Sequence, residues 1–322
     1  MADKLFVSSS PHVSGGKSIK SIMWQVNLAL VPAGVVGVYV FGFSSFWLIC
    51  VSILTAVLTE GFIQKARGQK VAISDGSAFM TGLLLAYNLP PQCPLWLGVV
   101  GSFFAIAIGK QAFGGLGRNI FNPALAGRAF LMAAWPKQMT TFSRPFSCDA
   151  ITQATPLTLM KEGHAHHLSD MALNYWDLLV GARGGCLGEV CVLALALGGI
   201  YLLYKRIITW HIPLTYILTV GFFTWIFGDK TGYFQGDYIF HILSGGLFLG
   251  AIYMATDYVT SPITKKGQVV FGVGCGLITC VIRLWGGYPE GVCYSILVMN
   301  AFVPLIDRFV TKRRYGVTKK VA

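Results

Sequence analysis

Ten apolar stretches follow one another along these 322 residues, near 23–43, 45–61, 74–89, 94–109, 119–135, 187–204, 211–228, 238–256, 268–284 and 291–309. A bilayer core about 30 Å thick takes about 20 apolar residues as a helix, and the helix satisfies its own backbone groups. The stretches therefore read as spans of an all-α integral membrane protein with about ten transmembrane helices. Composition agrees, with 54% of residues hydrophobic and 12% charged, against about 25% charged in soluble domains. So few polar side chains cannot cover the exterior of a soluble fold. The third, fourth and fifth stretches are short and rich in Gly and Pro, which reads as broken or re-entrant helices lining a site.

A net charge of +12 in a soluble chain suggests nucleic acid; among membrane spans, the placement of the charges carries the information. With a cytoplasmic N-terminus and ten alternating spans, eighteen Lys and Arg fall on the inner side. Six fall on the outer side (Lys137, Arg144, Lys161, Arg183, Lys230 and Arg283), and Arg128 lies within a span. The bias puts both termini in the cytoplasm, with membrane lipid as the surroundings and no nucleic acid as partner. No cleavable signal peptide is evident behind the polar N-terminal segment. The units follow as a cytoplasmic arm 1–22, a five-helix block 23–135, an outer loop 136–186, a second five-helix block 187–309 and a basic tail 310–322.

An internal repeat relates the blocks. Gly76, Phe79, Ala86 and Asn88 match Gly245, Phe248, Ala255 and Asp257, and Gly114-Gly115 matches Gly286-Gly287. The first set runs outward and the second inward, which predicts two inverted five-helix repeats with a pathway near their interface.

Within the outer loop, DAITQATPL (149–157) interrupts the apolar pattern. Threonine hydroxyls are poor nucleophiles unless activated, and Asp149 and Thr155 have no base and orienter beside them. On the residues alone the stretch reads as an Asx or ST turn with Pro156 opening a short helix. His164, His166 and His167 lack an acid or Cys at metal-ligand spacing and read as solvated, so no metal is expected. The eight cysteines form no CxxC pair and read as small apolar residues, with a disulfide among Cys93, Cys148 and Cys186 left open. The glycine-rich GGLGRNIFNPALAGR (114–128) fits neither a P-loop nor a dinucleotide fingerprint. It reads as a tight turn, with Asn122-Pro123 starting the next helix. Arg128 inside a span is costly and marks a functional candidate, beside the reading that it snorkels or pairs with a phospholipid.

The pattern Asp-Ala-x-Thr-x-Ala-Thr followed by Pro-Leu resembles the flavinylation motif of a family of membrane proteins. That family comprises the D-type component of Rnf ferredoxin:NAD oxidoreductase complexes and the B-type component of sodium-pumping NADH:quinone oxidoreductases. The likeness extends to Ser10-Pro11-His12, SDGSAFMTGLLLAYNLPP (74–91), GGLGRNIFNPALAGRAF (114–130) and MATDYVTSP (254–262), nearly the whole chain. It implies an electron-relay subunit of an ion-translocating oxidoreductase of the bacterial inner membrane. FMN would be joined through its phosphate to Thr155 by a dedicated flavin transferase that reads Asp149, Thr152 and Ala154. Gln153 stands where the family has Gly. The partners implied are the A, B, C, E and G components of the Rnf complex. A second, non-covalent flavin (riboflavin) is implied near the block containing Asn122 and Arg128. No residue of this chain is expected to be catalytic.

A loop on the outer face requires an exported transferase, and the phosphate would find Lys137, Arg144, Lys161 or Arg183 as a counter-charge. Length favours the Rnf branch, since the quinone-reductase branch carries a longer N-terminal region. A second rival, a non-redox solute channel of urea-channel-like fold, has no use for the DAITQATPL loop. Acids near the membrane are Glu60, Asp75, Glu189, Asp257 and Glu290. Asp75 and Asp257, at the ends of the repeat-related helices, are the first choices for an ion path, with helix capping as the plainer role of Asp75.

Overall fold

The computed structural model describes residues 18–143, 145–146, 154–162, 174–181, 183–189, 191–228, 232–288 and 290–310. It is built of helices. α1 (Ile19–Phe41) and α2 (Phe43–Ala66) meet at Gly42, whose φ of 84° lets one residue end the first helix and begin the second. A 3₁₀ turn (Ile73–Asp75) leads into α3 (Ser77–Tyr87), and α4 (Leu95–Ile106) runs on through a π-helical turn, Ala107–Gln111. α5 (Pro123–Ala134) starts from Asn122, whose Oδ1 accepts from the Ala124 and Leu125 amides while Pro123 fills the first position.

Three short helices follow, α6 (Pro136–Met139), α7 (Pro156–Lys161) and α8 (Tyr175–Val180), and then α9 (Val192–Tyr204) and α10 (His211–Phe227). The chain closes with α11 (Tyr238–Leu243), α12 (Leu247–Leu249) with a π turn Gly250–Met254, α13 (Lys265–Leu284) and α14 (Val292–Phe309).

Four of these, α1, α2, α13 and α14, are long and apolar enough to cross a bilayer. α2, with 24 residues, spans about 36 Å at 1.5 Å per residue. α3, with 11 residues, reaches about half as far. Leu28, Leu58, Phe62, Ile200, Leu218 and Phe302 point outward and are exposed. Such a belt is stable in lipid and unstable in water.

Three departures from the sequence reading bear on the site. The eighth stretch, expected as one helix over 238–256, is broken at Ser244-Gly245-Gly246, with Gly245 at φ 70°. Arg283 donates to the freed carbonyls of His241 (2.6 Å) and Ser244 (3.1 Å), so the break leaves neither unsatisfied. Its repeat partner Gly76 also has positive φ, 79°, at the start of α3. The sixth stretch, expected as a helix from 187, forms α9, which begins at Val192. Residues 187 and 188 instead turn inward, their amides donating to the carbonyls of Leu89 (3.2 Å) and Tyr87 (2.8 Å).

The third departure concerns charge. Lys110, Arg183 and Arg283 are 2%, 3% and 4% exposed, so they are interior residues and not loop charges. Removing them from the tally leaves seventeen inner against four outer cations, and the bias keeps its sign.

The first helices of the two blocks, α1 and α9, pack together, as do the last, α5 and α14. Gly198 makes the α1–α9 approach possible: a Cβ there would lie 2.1 Å from the Ala29 carbonyl oxygen. Tyr253, from the π turn, donates at that crossing to the carbonyls of Leu195 (3.0 Å) and Ala29 (3.3 Å). The core is continuous from α1 through α9 to α13 and α14.

Candidate functional site

Thr155 is the N-cap of α7. Its Oγ1 accepts from the Thr158 amide (3.3 Å) and lies 2.8 Å from the Thr158 hydroxyl. α7 is docked at both ends. Leu157 packs with Leu178 of α8 and Phe240 of α11. Lys161 Nζ donates to the carbonyls of Tyr288 (2.6 Å) and Ile282 (3.2 Å), at the end of α13. Partial burial of this ammonium lowers its pKa from the ordinary Lys value.

Thr155 and Ala154 stand in the wall of a cavity of about 420 Å³. The rest of the wall is mixed: Met132, Phe142, Tyr288 and Tyr294 are apolar or aromatic, and Arg128, Glu162 and Glu290 carry charge. Tyr288 and Tyr294 lie with ring centroids 5.3 Å apart. Ligand pockets of this kind run from about 300 to 1,000 Å³, mostly apolar with a few fixed polar groups.

Arg128 lies on α5 at the bottom of this cavity and is 5% exposed. Its guanidinium is held by four residues from three separate segments. Glu290 Oε2, before α14, makes the closest ion pair; Glu189 Oε1, before α9, lies 3.6 Å away. Asn88 Oδ1, after α3, accepts at 2.5 Å, and Cys186 Sγ is 3.7 Å away. Such a buried charge neither snorkels nor reaches a phospholipid headgroup. Cys186, Glu189 and Glu290 bring their ligand atoms within 4.8 Å of one another. The guanidinium already fills the place that a cation would take among them. A site for an aromatic group beside Thr155 suits this lining better than a metal centre does.

The other candidates fall elsewhere. Asn122 does not share the cavity with Arg128: its Oδ1 caps α5 and its Nδ2 donates to the Met254 carbonyl (3.2 Å). Of the four expected phosphate partners, Lys161 is committed to backbone carbonyls and Arg183 donates to the Glu189 carbonyl (2.9 Å). Lys137 lines a different cavity. In the described wall of the Thr155 cavity the cation is Arg128, which sequence reasoning had not paired with Thr155. Asp149, Thr152, Gln153, Arg144, Cys148 and the three histidines lie outside the described residues. Cys93 and Cys186 are free, buried thiols.

Asp75 and Asp257 flank a second polar centre. Asp75 Oδ1 accepts from the Ser77 amide (2.9 Å) and hydroxyl (2.8 Å), the capping role expected of it. Ser77 Oγ in turn accepts from Lys110 Nζ (2.6 Å). Lys110, on the π turn, lies 2.7 and 2.8 Å from the two oxygens of Glu60, and Gln64 and Gln111 also donate to Glu60. Asp257, bonded by Thr260 Oγ1 (3.2 Å), shares a cavity of about 30 Å³ with Ser77, Thr81, Lys110 and Asn119. Asp75 thus reaches the buried ammonium through Ser77, and Asp257 shares a cavity with it. A π turn is a frequent mark of a functional position, and Lys110 escaped the sequence reading because it was counted as a loop charge.

The family model described as the NQR2, RnfD, RnfE family matches residues 6–316. The chain is 50% identical over 319 residues to a protein of Clostridium ljungdahlii named as the D component of a proton-translocating ferredoxin:NAD(+) oxidoreductase complex, covering 97% of this chain and 96% of that one. It is 51% identical over 317 residues to the D component of the Na(+)-translocating ferredoxin:NAD(+) oxidoreductase complex of Acetobacterium woodii, with 98% and 96% covered. Identity to the D component of the ion-translocating oxidoreductase complex of Stutzerimonas stutzeri is 41%, over 93% and 92% of the two chains. A match over nearly the whole length, with relatives at half identity, makes this chain a member of the NQR2, RnfD, RnfE family.

Proposed function

We propose that this chain is the D-type membrane component of an Rnf complex, holding FMN as a phosphoester on Thr155 and relaying electrons between neighbouring subunits. Ferredoxin-to-NAD electron flow in that complex is coupled to Na⁺ or H⁺ translocation. The observation that carries the reading is the position of Thr155, the last threonine of DAITQATPL, in the wall of a cavity of about 420 Å³. The donor set fits the group. The cavity offers aromatic and apolar walls for a flat ring system, a hydroxyl at its rim for the ester, and a buried cation below.

When attached, the flavin supplies the electron-carrying chemistry, and the protein supplies orientation and electrostatics. Thr158 fixes the Thr155 hydroxyl, while Lys161 and Leu157 fix α7 against the ends of α13 and α11. Phe142, Met132 and the two tyrosines keep water from the ring side of the cavity. Asn122 is consumed by capping and Arg128 faces the Thr155 cavity, so the non-covalent riboflavin that the family resemblance implies is assigned to neither.

In this reading the ten apolar helical segments form two inverted five-helix repeats in the inner membrane. Both termini are cytoplasmic, and α7 lies on the outer face. The A, B, C, E and G components surround the chain, and a flavin transferase matures it. Asp75 and Asp257, joined through Ser77 and Lys110, belong to the ion path. Relatives of 50% and 51% identity are named for the proton and for Na⁺ respectively, so identity at this level does not choose the ion. The test is in-gel flavin fluorescence of the chain co-produced with its transferase. A fluorescent wild type and a dark Thr155→Ala support the proposal. A dark wild type, or an equally fluorescent variant, refutes it.

A further inference from the structure

The charges below the Thr155 cavity do not cancel. Arg128, Arg183 and Arg283 are all at most 5% exposed. The carboxylates beside them are Glu189, 2% exposed, and Glu290. Among the described residues, Arg128 alone of the three has a carboxylate oxygen within 4.0 Å. Arg183 and Arg283 are held by backbone carbonyls. The buried set therefore holds three cations against two anions, while the cavity wall itself presents Arg128 with the carboxylates of Glu290 and Glu162.

Position divides the two carboxylates. Arg128 and Glu290 both line the cavity, and Glu189 pairs with the guanidinium from outside the lining. Arg128 is therefore a cation poised between two anions, one of which faces the ring site. Each electron added to a ring in that cavity adds a negative charge unless a proton follows. Charge beside a flavin ring is one of the protein's controls on its electronics, and in a site of low dielectric it acts over several ångströms.

We infer that the Arg128–Glu290 pair sets the reduction potential of the flavin on Thr155, with Arg128 raising it and Glu290 holding it down. The inference rests on the attachment proposed above and goes beyond it, since it assigns the residues that tune the group. Arg128 and Glu290 are positioning and tuning residues here. Neither forms nor breaks a bond, and in the test the electrons come from an external reductant through mediators.

The double pairing makes the inference testable without stranding a charge. In Glu290→Gln the guanidinium keeps Glu189, Asn88 and Cys186, and the amide keeps the shape of the side chain. The experiment is spectroscopic redox titration of the flavinylated full-length chain, with flavin content measured in parallel. The expected result is a shift to more positive potential in Glu290→Gln, corresponding to at least tenfold stabilisation of the reduced form, or about 59 mV for a one-electron couple and about 30 mV for a two-electron couple.

Glu290→Asp, which restores the charge, returns towards wild type. Glu189→Gln, outside the lining, shifts in the same direction by less, and serves if Glu290→Gln does not fold. An unchanged or more negative potential in Glu290→Gln or Glu189→Gln, with flavin content intact, overturns the inference and leaves the attachment standing. A wild type that carries no flavin overturns both.

Discussion

Replacing Lys110 with Met should expose how the inner polar centre is held. The ammonium lies 2.7 and 2.8 Å from the two Glu60 oxygens and 2.6 Å from Ser77 Oγ. Lys110 and Glu60 are 2% and 1% exposed. Removing one partner of a buried pair costs about 3–5 kcal/mol, because the other charge is left uncompensated. Gln64 and Gln111 still donate to Glu60 at 3.1 and 3.0 Å, which puts the expected loss near the lower figure, about 3 kcal/mol.

Glu60→Gln strands the ammonium in the same way and should cost a similar amount. The double variant strands neither, so its loss should resemble one single variant, a coupling of about 3 kcal/mol. Reversible unfolding in mixed detergent micelles measures all three. Additive losses would refute the view that the two groups stabilise each other as an ion pair.

Other substitutions probe the breaks and the docking of α7. Gly245→Ala combines a φ of 70° with a Cβ 2.8 Å from Leu157 Cδ1 and 3.0 Å from an Arg283 guanidinium nitrogen. It should cost about 1–3 kcal/mol, read by the same unfolding assay. Gly198→Ala should pry α1 from α9, which disulfide cross-linking across that interface would detect as a lower yield. Asp257→Asn and Asp75→Asn should lower coupled ion transport with flavin content unchanged; unaltered transport would remove them from the path. For orientation, Trp176 on α8, 70% exposed, is the labelling position. A cysteine there should react with an impermeant reagent on intact cells if the loop is external.

Much of the fold is legible in the apolar runs, because a bilayer leaves a helix as the way to satisfy a spanning backbone. α1, α2, α10, α13 and α14 lie close to where hydropathy puts them. The break at Gly245 was hidden because Ser244-Gly245-Gly246 sits inside an apolar run, and its cost is met by Arg283, far off in sequence. For the same reason Lys110 and Arg283 looked like loop charges: their partners lie far off in sequence, on elements that hydropathy does not pair. The Arg128 cluster draws on Asn88, Cys186, Glu189 and Glu290 from three separate segments, and no local pattern announces it. Thr155 was legible only as part of a motif. Its own surroundings, a cap and a hydrogen bond to Thr158, are those of an ordinary helix start.

The claim on which the account depends is that Thr155 carries the flavin. Intact-mass measurement of the purified chain, made with its transferase, followed by peptide mapping, addresses it directly. The account predicts one added FMN unit on the wild-type chain, located on the peptide containing Thr155 and absent from Thr155→Ala. An unmodified wild-type mass, or the same addition on Thr155→Ala, would contradict it.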